Sequence, residues 1–525
     1  MQFPNKLAAL IVLFSVSAYA QQAPVKFSYK PLIVPIPGKL PVACPTVEPL
    51  PTAGMVNVKN YGAKGDGVTN DTDAFAAAAA EITKRKGGIL FIPRATYLVG
   101  KQIVTPGKAT QMLPIIKIRN VGHVAIKGNC AVLRADPKLK FGSFDPYTGL
   151  KYEAQTPFTN SLYRNDAYNM IDLGYNQSVS INNLELDGNF LKINVGGEWG
   201  DKGIQNAATG INLNNNEQVD INNIYTHHHG HDGIRVGFKD LSVADGAKPM
   251  RINYVVSEYN GRQGLSLVGG NDVIISKSRF NHTGAVGTPT PPRAGVDIEA
   301  SNGAVVTNVL FDNVEIANNA GPGLVADSGP SSHVTIRRSV IWGTKSWALW
   351  NDKPFFRIED SQIHGSIVRP YGSATDPASA TKFIRTIFDD EPSPVYGQPF
   401  GKYLVDFASG GLAKNVVFDG CVLRNKLMGG FFNGGTVGAP VQILNSTLIY
   451  ANDTRGKKVM SVMNDMYFEK TVFKDELTSG ESYLSLGKNQ VGPGCFYQSR
   501  YVRGFAALPD GSMVPGNYQG SMPLK

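Results

Sequence analysis

Residues 219–236, VDINNIYTHHHGHDGIRV, contain two short motifs that recur along most of the chain. The first eight residues follow the template hxhxxhxh, in which h is an apolar or small residue that faces inward, and the last four read Gly-h-x-h. Since side chains alternate between the two faces of a strand, both motifs are typical of short, half-buried strands. The Asn and Gly residues between such motifs favour tight turns.

Both motifs are repeated at regular distances. From Val309 the eight-residue template starts again after 25 and then 22 residues, and from Val416 after 25 and then 25 residues. Its starts are Val179, Val219, Met250, Val273, Val309, Val334, Phe356, Val416, Val441 and Met466. The starts of the four-residue motif are Gly210, Gly233, Gly264, Gly295 and Gly323. Two short strands in each period of 22 to 31 residues predict a coiled parallel solenoid.

Other repeat folds fit the sequence less well. Leucine-rich repeats have a similar period, but their leucine spacing and Asn position are absent. Helical solenoids need stretches of about ten residues with a period of 3.6, which this region lacks. The sequence therefore predicts an all-β fold, a right-handed single-stranded parallel β-helix (solenoid) of about ten or more rungs.

One helix is expected near the start of the repeats. Residues 73–86 include five consecutive Ala residues, Asp71 or Thr72 can cap the N-terminus, and Gly87 can end the helix. We expect this helix to cap the open N-terminal end of the β-helix and so to protect it from edge pairing.

The composition excludes several classes of protein. A chain of 525 residues with 42% hydrophobic and 18% charged residues is neither disordered nor collagen-like. Its formal net charge of +9 favours anionic partners, but no Lys/Arg run suggests nucleic-acid binding, and an acidic polysaccharide fits the bias at least as well. After the N-terminal region no run of ~20 apolar residues occurs, so no membrane span is expected.

The two ends of the chain predict export and a domain division. Lys6 precedes an apolar run over residues 7–16, which ends in the small-x-small pattern Ala18-Tyr19-Ala20 of a signal peptide. We expect residues 1–20 to be removed and the protein to be secreted, either extracellular or periplasmic. A Pro-rich leader follows over residues 21–54, then the β-helix domain over 55–480, in which the repeat lapses between Asp376 and Asp406, and a C-terminal tail over 481–525.

The cysteines give little guidance. Cys44, Cys130, Cys421 and Cys495 contain no CxxC pair and are too few to form a disulfide scaffold in a chain of this length. One or two bridges are possible, and the sequence leaves their connectivity open.

The start of the repeats resembles a known superfamily. The residues concerned are VNVKNYGAKGDGVTNDT at 56–72, Phe75, GGILFIP at 87–93 and Tyr97. They resemble the N-terminal segment of pectate-lyase-like β-helix proteins, a superfamily that includes polygalacturonases, carrageenases and phage tailspikes. The resemblance covers about fifty residues and implies the fold. It does not imply one reaction, because this fold supports hydrolases, lyases, epimerases and non-catalytic adhesins.

A second resemblance, to polygalacturonases, is partial. Their successive turns carry Asn-Thr-Asp, an Asp-Asp pair, Gly-His-Gly and an Arg-x-Lys strand. The turns at the corresponding places read Ala208-Thr209-Gly210, His231-Asp232-Gly233, Gly261-Arg262-Gln263-Gly264 and Gly295-Val296-Asp297-Ile298-Glu299. Asp232 is the only counterpart of the catalytic acids of polygalacturonases. Where those enzymes have the basic Arg-x-Lys pair, this chain has the acidic residues Asp297 and Glu299. The resemblance therefore implies a binding groove at this place without polygalacturonase chemistry.

Strand alternation brings acidic residues together. Stacking the four-residue motifs in register predicts an outward column of Asn212, Arg235, Ser266, Asp297 and Val325, and a neighbouring column with Asn214, Glu299 and Asp327. Residues two apart on a strand lie ~7 Å apart and rungs ~4.8 Å apart, so Asp297, Glu299 and Asp327 are expected to converge. Three carboxylates this close raise at least one pKa or bind a cation. We interpret Asp297, Glu299, Asp327 and Asp232 as candidate catalytic residues.

The basic and histidine residues are candidates for substrate binding. They are Arg235, His231, His229, Arg262 and Ser266. In an extended segment His227, His229 and His231 would share one face, which is compatible with a metal site, with groove residues or with an ordinary polar turn. Five aromatic residues are candidate platforms for sugar stacking: Trp342, Trp347, Trp350, Tyr225 and Tyr254. Trp347 and Trp350 are also compatible with packing at a strand. The identity of any metal stays open.

Three functions remain possible. The favoured one is a polysaccharide-cleaving glycoside hydrolase with an acid pair, which requires no cofactor. The second is a lyase or C5-epimerase acting on a uronate-containing polysaccharide, for which Ca²⁺ is possible. The third is a non-catalytic carbohydrate-binding or surface adhesion protein. In each case the expected partner is a polysaccharide, possibly acidic, and the oligomeric state is open, a trimer included.

Overall fold

A computed structural model describes most of the chain. The described residues are 54–507 without 198–201, 239–248, 286–289, 408–413, 435–438, 453–458, 462–464, 477–481, 487–488 and 499–503, together with 513–516 and 521–523. The predicted signal peptide and nearly all of the predicted Pro-rich leader lie outside these residues, as does part of the predicted C-terminal tail.

The described residues form a right-handed parallel β-helix, as predicted. One face, which we call the front sheet, has eleven strands that all pair in parallel. Its strands are Ile116–Arg119, Tyr168–Gly174, Ala208–Asn214, Asp232–Gly237, Gln263–Leu267, Ala294–Ile298, Leu324–Ala326, Leu349–Asn351, Ser366–Arg369, Phe400–Asp406 and Gly430–Asn433. The Gly-h-x-h motifs occupy five consecutive strands of this sheet.

The rest of each rung belongs to a 25-stranded sheet, the long sheet. Its first ten strands are Val56–Asn57, Asp66–Asn70, Gly88–Ile92, Thr96–Val99, His123–Ala135, Ser178–Asp187, Gln218–His227, Met250–Glu258, Gly270–Asn281 and Val306–Ala317. The others are Val334–Arg337, Val340–Trp342, Phe356–Glu359, Gln362–His364, Lys382–Ile384, Ile387–Asp389, Val417–Asp419, Val422–Asn425, Val441–Leu444, Thr447–Tyr450, Met466–Glu469, Val472–Asp475, Gln490–Val491, Phe496–Gln498 and Ser521–Pro523.

The eight-residue template marks one bent segment of the long sheet in each rung. In the rung of Val219, the template positions Val219, Ile221, Ile224 and Thr226 are all buried in the core. Asn223, between the two halves, has a φ of 55° and lies in the left-handed region, which Asn tolerates. This residue turns the chain between two inward-facing pairs. Its Nδ2 donates a hydrogen bond to Oδ1 of Asn183 in the preceding rung at 2.7 Å.

The repeat does not lapse between Asp376 and Asp406, contrary to the expectation. A complete rung lies there, since Lys382–Ile384 and Ile387–Asp389 pair in parallel with the rungs on both sides. The template is hidden because Thr381 and Thr386 occupy two of its four inward positions, and both are fully buried. The Oγ1 atom of Thr386 lies 3.2 Å from the carbonyl oxygens of both Ile358 and Ile384, and its single proton can be donated to either, which satisfies the buried hydroxyl.

The expected helix is present and runs over Thr72–Lys84, where it packs against Gly88–Ile92 and Ile116–Arg119. Its capping differs from the expectation, because Asp71 makes no side-chain hydrogen bond to the helix. Instead the Asp71 carboxylate accepts hydrogen bonds from the backbone N–H groups of Lys64 and Gly65 at 2.6 and 3.0 Å. Asp71 therefore fixes the preceding glycine-rich turn. That the helix protects the open end of the solenoid stays a prediction.

Short elements complete the described structure. The 3₁₀ helices are Val58–Tyr61, Ser161–Tyr163 and Pro377–Ser379. Three small sheets contain the strands Gln102–Ile103 and Gln111–Met112; Lys140–Ser143, Arg164–Asn165 and Asn194–Val195; and Val459–Ser461, Ser482–Ser485, Gly504–Ala507 and Met513–Gly516. None of the helices in the described ranges is long and apolar enough to cross a membrane.

The cysteines are in different states. Cys130 is disulfide-bonded. Cys421 is a buried free thiol in the second half of its rung, and burial raises its pKa to about 12. Cys421 occupies an inward position of the template and serves as a small apolar core residue.

The glycine of the Gly-h-x-h motif is required at an inward corner. A Cβ atom on Gly233 would lie 2.1 Å from Oγ of Ser257 and 2.6 Å from Nδ2 of Asn260, both of which are buried inside the solenoid. The side-chain position of Gly233 therefore faces inward. The side chain of Ile234, the next residue, also faces inward, so strand alternation is interrupted here. The preceding residue, Asp232, consequently faces the outer side of the front sheet.

Candidate active site

The predicted outward column on the front sheet is confirmed by the strand register. Asn212 pairs with Arg235, Arg235 with Ser266, Ser266 with Asp297, and Asp297 with Val325. Successive residues of the column are separated by one rung, ~4.8 Å. The inward neighbours of Asp297, Val296 and Ile298, are fully buried, which fixes the orientation of the strand.

Asp297 is a buried residue of this outward column. Only 3% of the residue is exposed, and its Oδ2 accepts a hydrogen bond from Nε2 of Gln263. Burial raises the pKa of Asp297 well above its usual value, the Arg262 cation opposes that shift, and the negative charges of Glu299, Asp327 and Asp232 add to it. Asp297 is therefore a carboxylic acid that retains its proton at higher pH than an ordinary aspartate.

Asp232 is the second buried acid of the site. It has no exposed surface, and neither carboxylate oxygen accepts a hydrogen bond from a described residue. Nδ1 of His231 and Nη1 of Arg262 lie 3.4 and 3.8 Å from its Oδ2. Burial raises the pKa of Asp232 to about 6, although the cations Arg262 and Arg235 favour the charged form.

Arg262 joins the acids. Its Nη2 lies 3.9 Å from Oε2 of Glu299, and its Nη1 donates a hydrogen bond to Oε1 of Gln263 at 3.2 Å. The side chain of Arg262 is 12% exposed, whereas that of Glu299 is 41% exposed. The guanidinium of Arg262 thus lies between the buried carboxyl group of Asp232 and the accessible one of Glu299. The Gln263 amide that it contacts donates a hydrogen bond to the third acid, Asp297.

The other candidates on this surface differ in accessibility. Nη1 of Arg235 donates hydrogen bonds to Oδ1 of Asn212 and Oδ1 of Asn214 at 3.2 and 2.9 Å. Ser266, between Arg235 and Asp297 in the column, is buried. Asp327 is exposed, and its charge contributes to the raised pKa of Asp297.

The three histidines do not share one face, contrary to the expectation for an extended segment. The reason is His228, whose φ of 55° turns the chain. His227 faces outward from the long sheet and lies 3.4 Å from Glu185. His231 is buried beside Asp232, and burial together with Arg262 and Arg235 lowers the pKa of His231 well below its usual value, so its imidazole is neutral.

His229 lies inside the solenoid, so the structure does not bring it to the outer surface of the front sheet. It has no exposed surface, its Nδ1 is 3.2 Å from the Tyr168 hydroxyl, and its Nε2 is 2.9 Å from Oγ1 of Thr226. Its backbone N–H donates to Oδ1 of Asn260 in the next rung at 3.1 Å. His229 is a hydrogen-bonded core residue, and we leave it out of the site.

In the described part of the chain, no three His, Cys, Asp or Glu side chains form a group that could hold a metal ion. The predicted triad Asp297, Glu299 and Asp327 does not form such a group, since Asp297 is directed to Gln263. The acids of the site instead interact with Arg262 and the amide of Gln263.

Sequence reasoning missed Gln263. It pairs with Asp232 in the strand register and immediately precedes Gly264, as Asp232 precedes Gly233. The position before the motif glycine is therefore an outward column of its own, with Thr209, Asp232 and Gln263 in successive rungs. The regular spacing of the Gly-h-x-h motifs indicates this column only when the inward orientation of the glycine is known.

Comparison with known proteins gives a family match over part of the chain. A family model described as rhamnogalacturonase A/epimerase, pectate lyase-like, matches residues 55–284. The match includes Asp232, Arg235 and Arg262 and ends before Asp297 and Glu299.

The individual relatives are partial. A glucan 1,3-beta-glucosidase of Cochliobolus carbonum is 40% identical over 58 residues, which are 9% of this chain and 7% of that protein. Alginate lyase 7 of Azotobacter vinelandii is 51% identical over 43 residues, 8% of this chain and 5% of that protein. The chain thus spans less than a tenth of the length of either curated relative.

Among solved structures, the A-module of a mannuronan C-5 epimerase of Azotobacter vinelandii superposes with a TM-score of 0.48 at 16% identity, over 83% of this chain and 99% of that one. The family match begins at the first strand of the solenoid and continues through the rungs that carry Asp232 and Arg262. Residues 55–284 are thus similar to this pectate-lyase-like family, and the described residues form a right-handed parallel β-helix.

Proposed function

We propose that this protein is an enzyme that cleaves a polysaccharide, and that it is a glycoside hydrolase with its acid pair on the front sheet. The observation that carries the proposal is the contrast between two neighbouring carboxyl groups, Asp297 and Glu299. The first is buried with a raised pKa, and the second is accessible and paired with a cation. Two carboxyl groups in different environments are the usual arrangement for general acid and general base in glycoside hydrolysis.

Asp297 is proposed as the general acid. Its proton goes to the glycosidic oxygen as the bond from that oxygen to the anomeric carbon breaks, so the leaving sugar departs as an alcohol. Gln263 donates to Oδ2, which leaves the other oxygen as the site of the proton. The buried environment keeps the acid protonated until the substrate arrives.

Glu299 is proposed as the general base. It takes a proton from a water molecule that attacks the anomeric carbon from the opposite side. Asp297 and Glu299 are two residues apart along one extended segment, so their backbone positions lie ~7 Å apart. This spacing is compatible with the ~6.5 to 9.5 Å between the carboxyl groups of inverting enzymes. The proposal therefore includes inversion of the anomeric configuration.

Arg262 supports hydrolysis over elimination. A lyase or epimerase needs a free cation to neutralise the uronate carboxylate and a base to take the proton at C5. Arg262 is shared between Asp232 and Glu299, so its charge is already compensated. Hydrolysis requires no further cation.

A uronate lyase or C5-epimerase is the second candidate because of Arg235. In the described ranges its guanidinium donates only to the neutral amide oxygens of Asn212 and Asn214. It lies two rungs from Asp297 in the same column and is available for a substrate carboxylate. Binding of a substrate carboxylate by Arg235 is equally compatible with hydrolysis of an acidic polysaccharide.

The test is incubation of the purified mature protein with β-1,3-glucan, α-1,3-glucan, alginate and polygalacturonate. β-1,3-Glucan and alginate are the polysaccharides named for the partial relatives, and the other two widen the panel to a neutral and an acidic polymer. Reducing ends and the ultraviolet absorbance of unsaturated uronates are followed together. New reducing ends without absorbance support hydrolysis, and both signals together support elimination. A change in the uronate epimer ratio by NMR without cleavage supports epimerisation, and no change in any substrate favours a non-catalytic binding protein.

Export remains part of the proposal. The signal-peptide pattern at residues 1–20 predicts a secreted protein that begins at or near Gln21. N-terminal sequencing of secreted material tests this, and a mature chain that retains Met1 contradicts it.

A further inference from the structure

A second group of side chains lies on the front sheet, toward its C-terminal end. Asp297 pairs with Val325, and Val325 pairs with Trp350, so Trp350 is two rungs from the acid in the same outward column. Two rungs correspond to ~10 Å along the axis of the solenoid. Val325, between them, is an apolar side chain and is 5% exposed.

The ring of Trp350 is held in one orientation. Its Nε1 donates a hydrogen bond to Oδ2 of Asp352 at 3.0 Å, and the guanidinium carbon of Arg369 lies 4.9 Å from the ring centroid. Nε of Arg369 lies 3.0 Å from Oδ1 of Asp352, which closes the group. Trp350 itself remains partly exposed. A fixed, partly exposed indole loses little conformational entropy when a ligand binds to it.

Trp347 adds a second ring and an unsatisfied donor. Its ring centroid is 4.4 Å from that of Trp350, with an angle of 57° between the planes, and its other contact is Phe400 at 5.8 Å. Its indole N–H is buried and has no hydrogen-bond acceptor within the described residues. Buried indole N–H groups normally have a partner, so the unpaired donor of Trp347 is unusual for a purely structural ring.

We propose that Trp347, Trp350, Asp352 and Arg369 form a binding subsite for a sugar residue of the polysaccharide, about two residues away from the bond that is cleaved. The inference rests on the proposed function, because the distance is counted from Asp297. The flat apolar face of a pyranose packs on the indoles, and its hydroxyls exchange hydrogen bonds with the carboxylate and the guanidinium. A pyranose is about as long as the ~4.8 Å rung, so a chain along the axis places one residue at each rung.

The test measures binding apart from catalysis. Asp297→Asn is introduced as the parent so that the polysaccharide is not cleaved, and affinity electrophoresis is run in gels that contain each of the four polysaccharides named above. We expect Trp350→Ala in this parent to raise the Kd for the retarding polysaccharide by about ten-fold. Trp350→Tyr keeps a flat ring and should restore most of the affinity. Trp342→Ala is the matched control, because Trp342 lies on the long sheet with its Nε1 bound to the carbonyl of Glu391.

The outcomes separate the subsite from the activity. Retardation of the parent that survives Trp350→Ala overturns the subsite and leaves the proposed function standing. An equal loss of affinity in the Trp342→Ala control also overturns it, since the effect would then be general. If the parent is not retarded by any of the four polysaccharides, both the subsite and the proposed function are overturned.

Discussion

Nη1 of Arg262 lies 3.8 Å from Oδ2 of Asp232, a carboxyl group that accepts no hydrogen bond from the described residues. The other end of the same guanidinium lies 3.9 Å from Glu299. The cation therefore opposes burial, which favours the protonated forms of Asp232 and Asp297. Its influence on Asp297 can be measured through pH, because a nearby cation favours the ionised form of an acid.

Replacement of Arg262 is expected to move the pH dependence of activity. Arg262 lowers the pKa of Asp297, so Arg262→Met should raise that pKa further. A general acid must be protonated, and activity therefore falls as pH rises through its pKa. The alkaline limb of the kcat profile should shift to higher pH in Arg262→Met, while kcat itself falls because Glu299 loses its partner. A pH series of initial rates measures both effects.

Arg338→Met serves as the control for this series. Arg338 is largely exposed and pairs with Asp312 on the long sheet, away from the acids. Its profile should coincide with that of the unchanged protein. An alkaline limb that stays in place in Arg262→Met would show that Asp297 is not the titrating acid.

The acid pair is tested by removing one carboxyl at a time. Asp297→Asn and Glu299→Gln should each lower kcat by roughly 10² to 10⁴, the contribution of a positioned general acid or base. The melting temperature should be unchanged or higher, because Asn has the shape of a protonated Asp297 and Glu299→Gln removes a negative charge that lies near other acids. Initial rates and calorimetry on the same preparations distinguish this from unfolding.

Asp327→Asn is the comparison for the acid pair. Asp327 is exposed and acts on Asp297 only through its charge, so a decrease in kcat below about ten-fold is expected. Equal activity in Asp297→Asn and the unchanged protein would place the chemistry elsewhere, with Asp232 and His231 the next residues to change.

The motif glycine is predicted to be essential for stability. Gly233→Ala places a methyl group 2.1 Å from Oγ of Ser257, in an interior that cannot expand without moving the next rung. Overpacking of this kind costs about 1 to 3 kcal/mol, so a clearly lower melting temperature is expected. At Gly122 an added Cβ would meet its nearest neighbours at 3.7 Å, so Gly122→Ala should leave the melting temperature nearly unchanged. Equal stability of the two variants would contradict the inward orientation of Gly233.

The fold can be predicted from the sequence more completely than the candidate site. Apolar positions such as Ile221 and Ile224 repeat because every rung buries the same positions, and this periodicity survives any choice of outward residue. One rung was missed because Thr381 and Thr386 are buried with their hydroxyls satisfied, which a pattern of apolar residues does not detect.

Residues of the site were predictable only where strand alternation holds. Asp297 and Glu299 follow it, and the register confirms the column that contains Asp297. His229 does not, because the left-handed residue His228 turns its side chain into the core. Gln263 was missed because the inward glycine shifts the alternation by one residue, a consequence of interior packing that only the three-dimensional contacts reveal.

The buried Asp232 is expected to make stability depend on pH. Its pKa is raised from 3.8 to about 6 in the folded protein, so between these values the folded state binds more protons than the unfolded state. Stability then falls as pH rises from about 4 through about 6, and the loss at neutral pH is about 3 kcal/mol. Asp232→Asn removes this titration. Its melting temperature should exceed that of the unchanged protein at about pH 8, and the two should converge at about pH 4.

Calorimetry across this pH range checks the sign as well as the size of the effect. Asp327→Asn is again the control, since an exposed carboxyl should give a difference in melting temperature that hardly changes with pH. A constant difference between Asp232→Asn and the unchanged protein from pH 4 to 8 would mean that Asp232 does not titrate there, and that Arg262 keeps it ionised. In that case Asp232 would be a permanent carboxylate partner for Arg262, and its role in the site would be to orient the guanidinium toward Glu299.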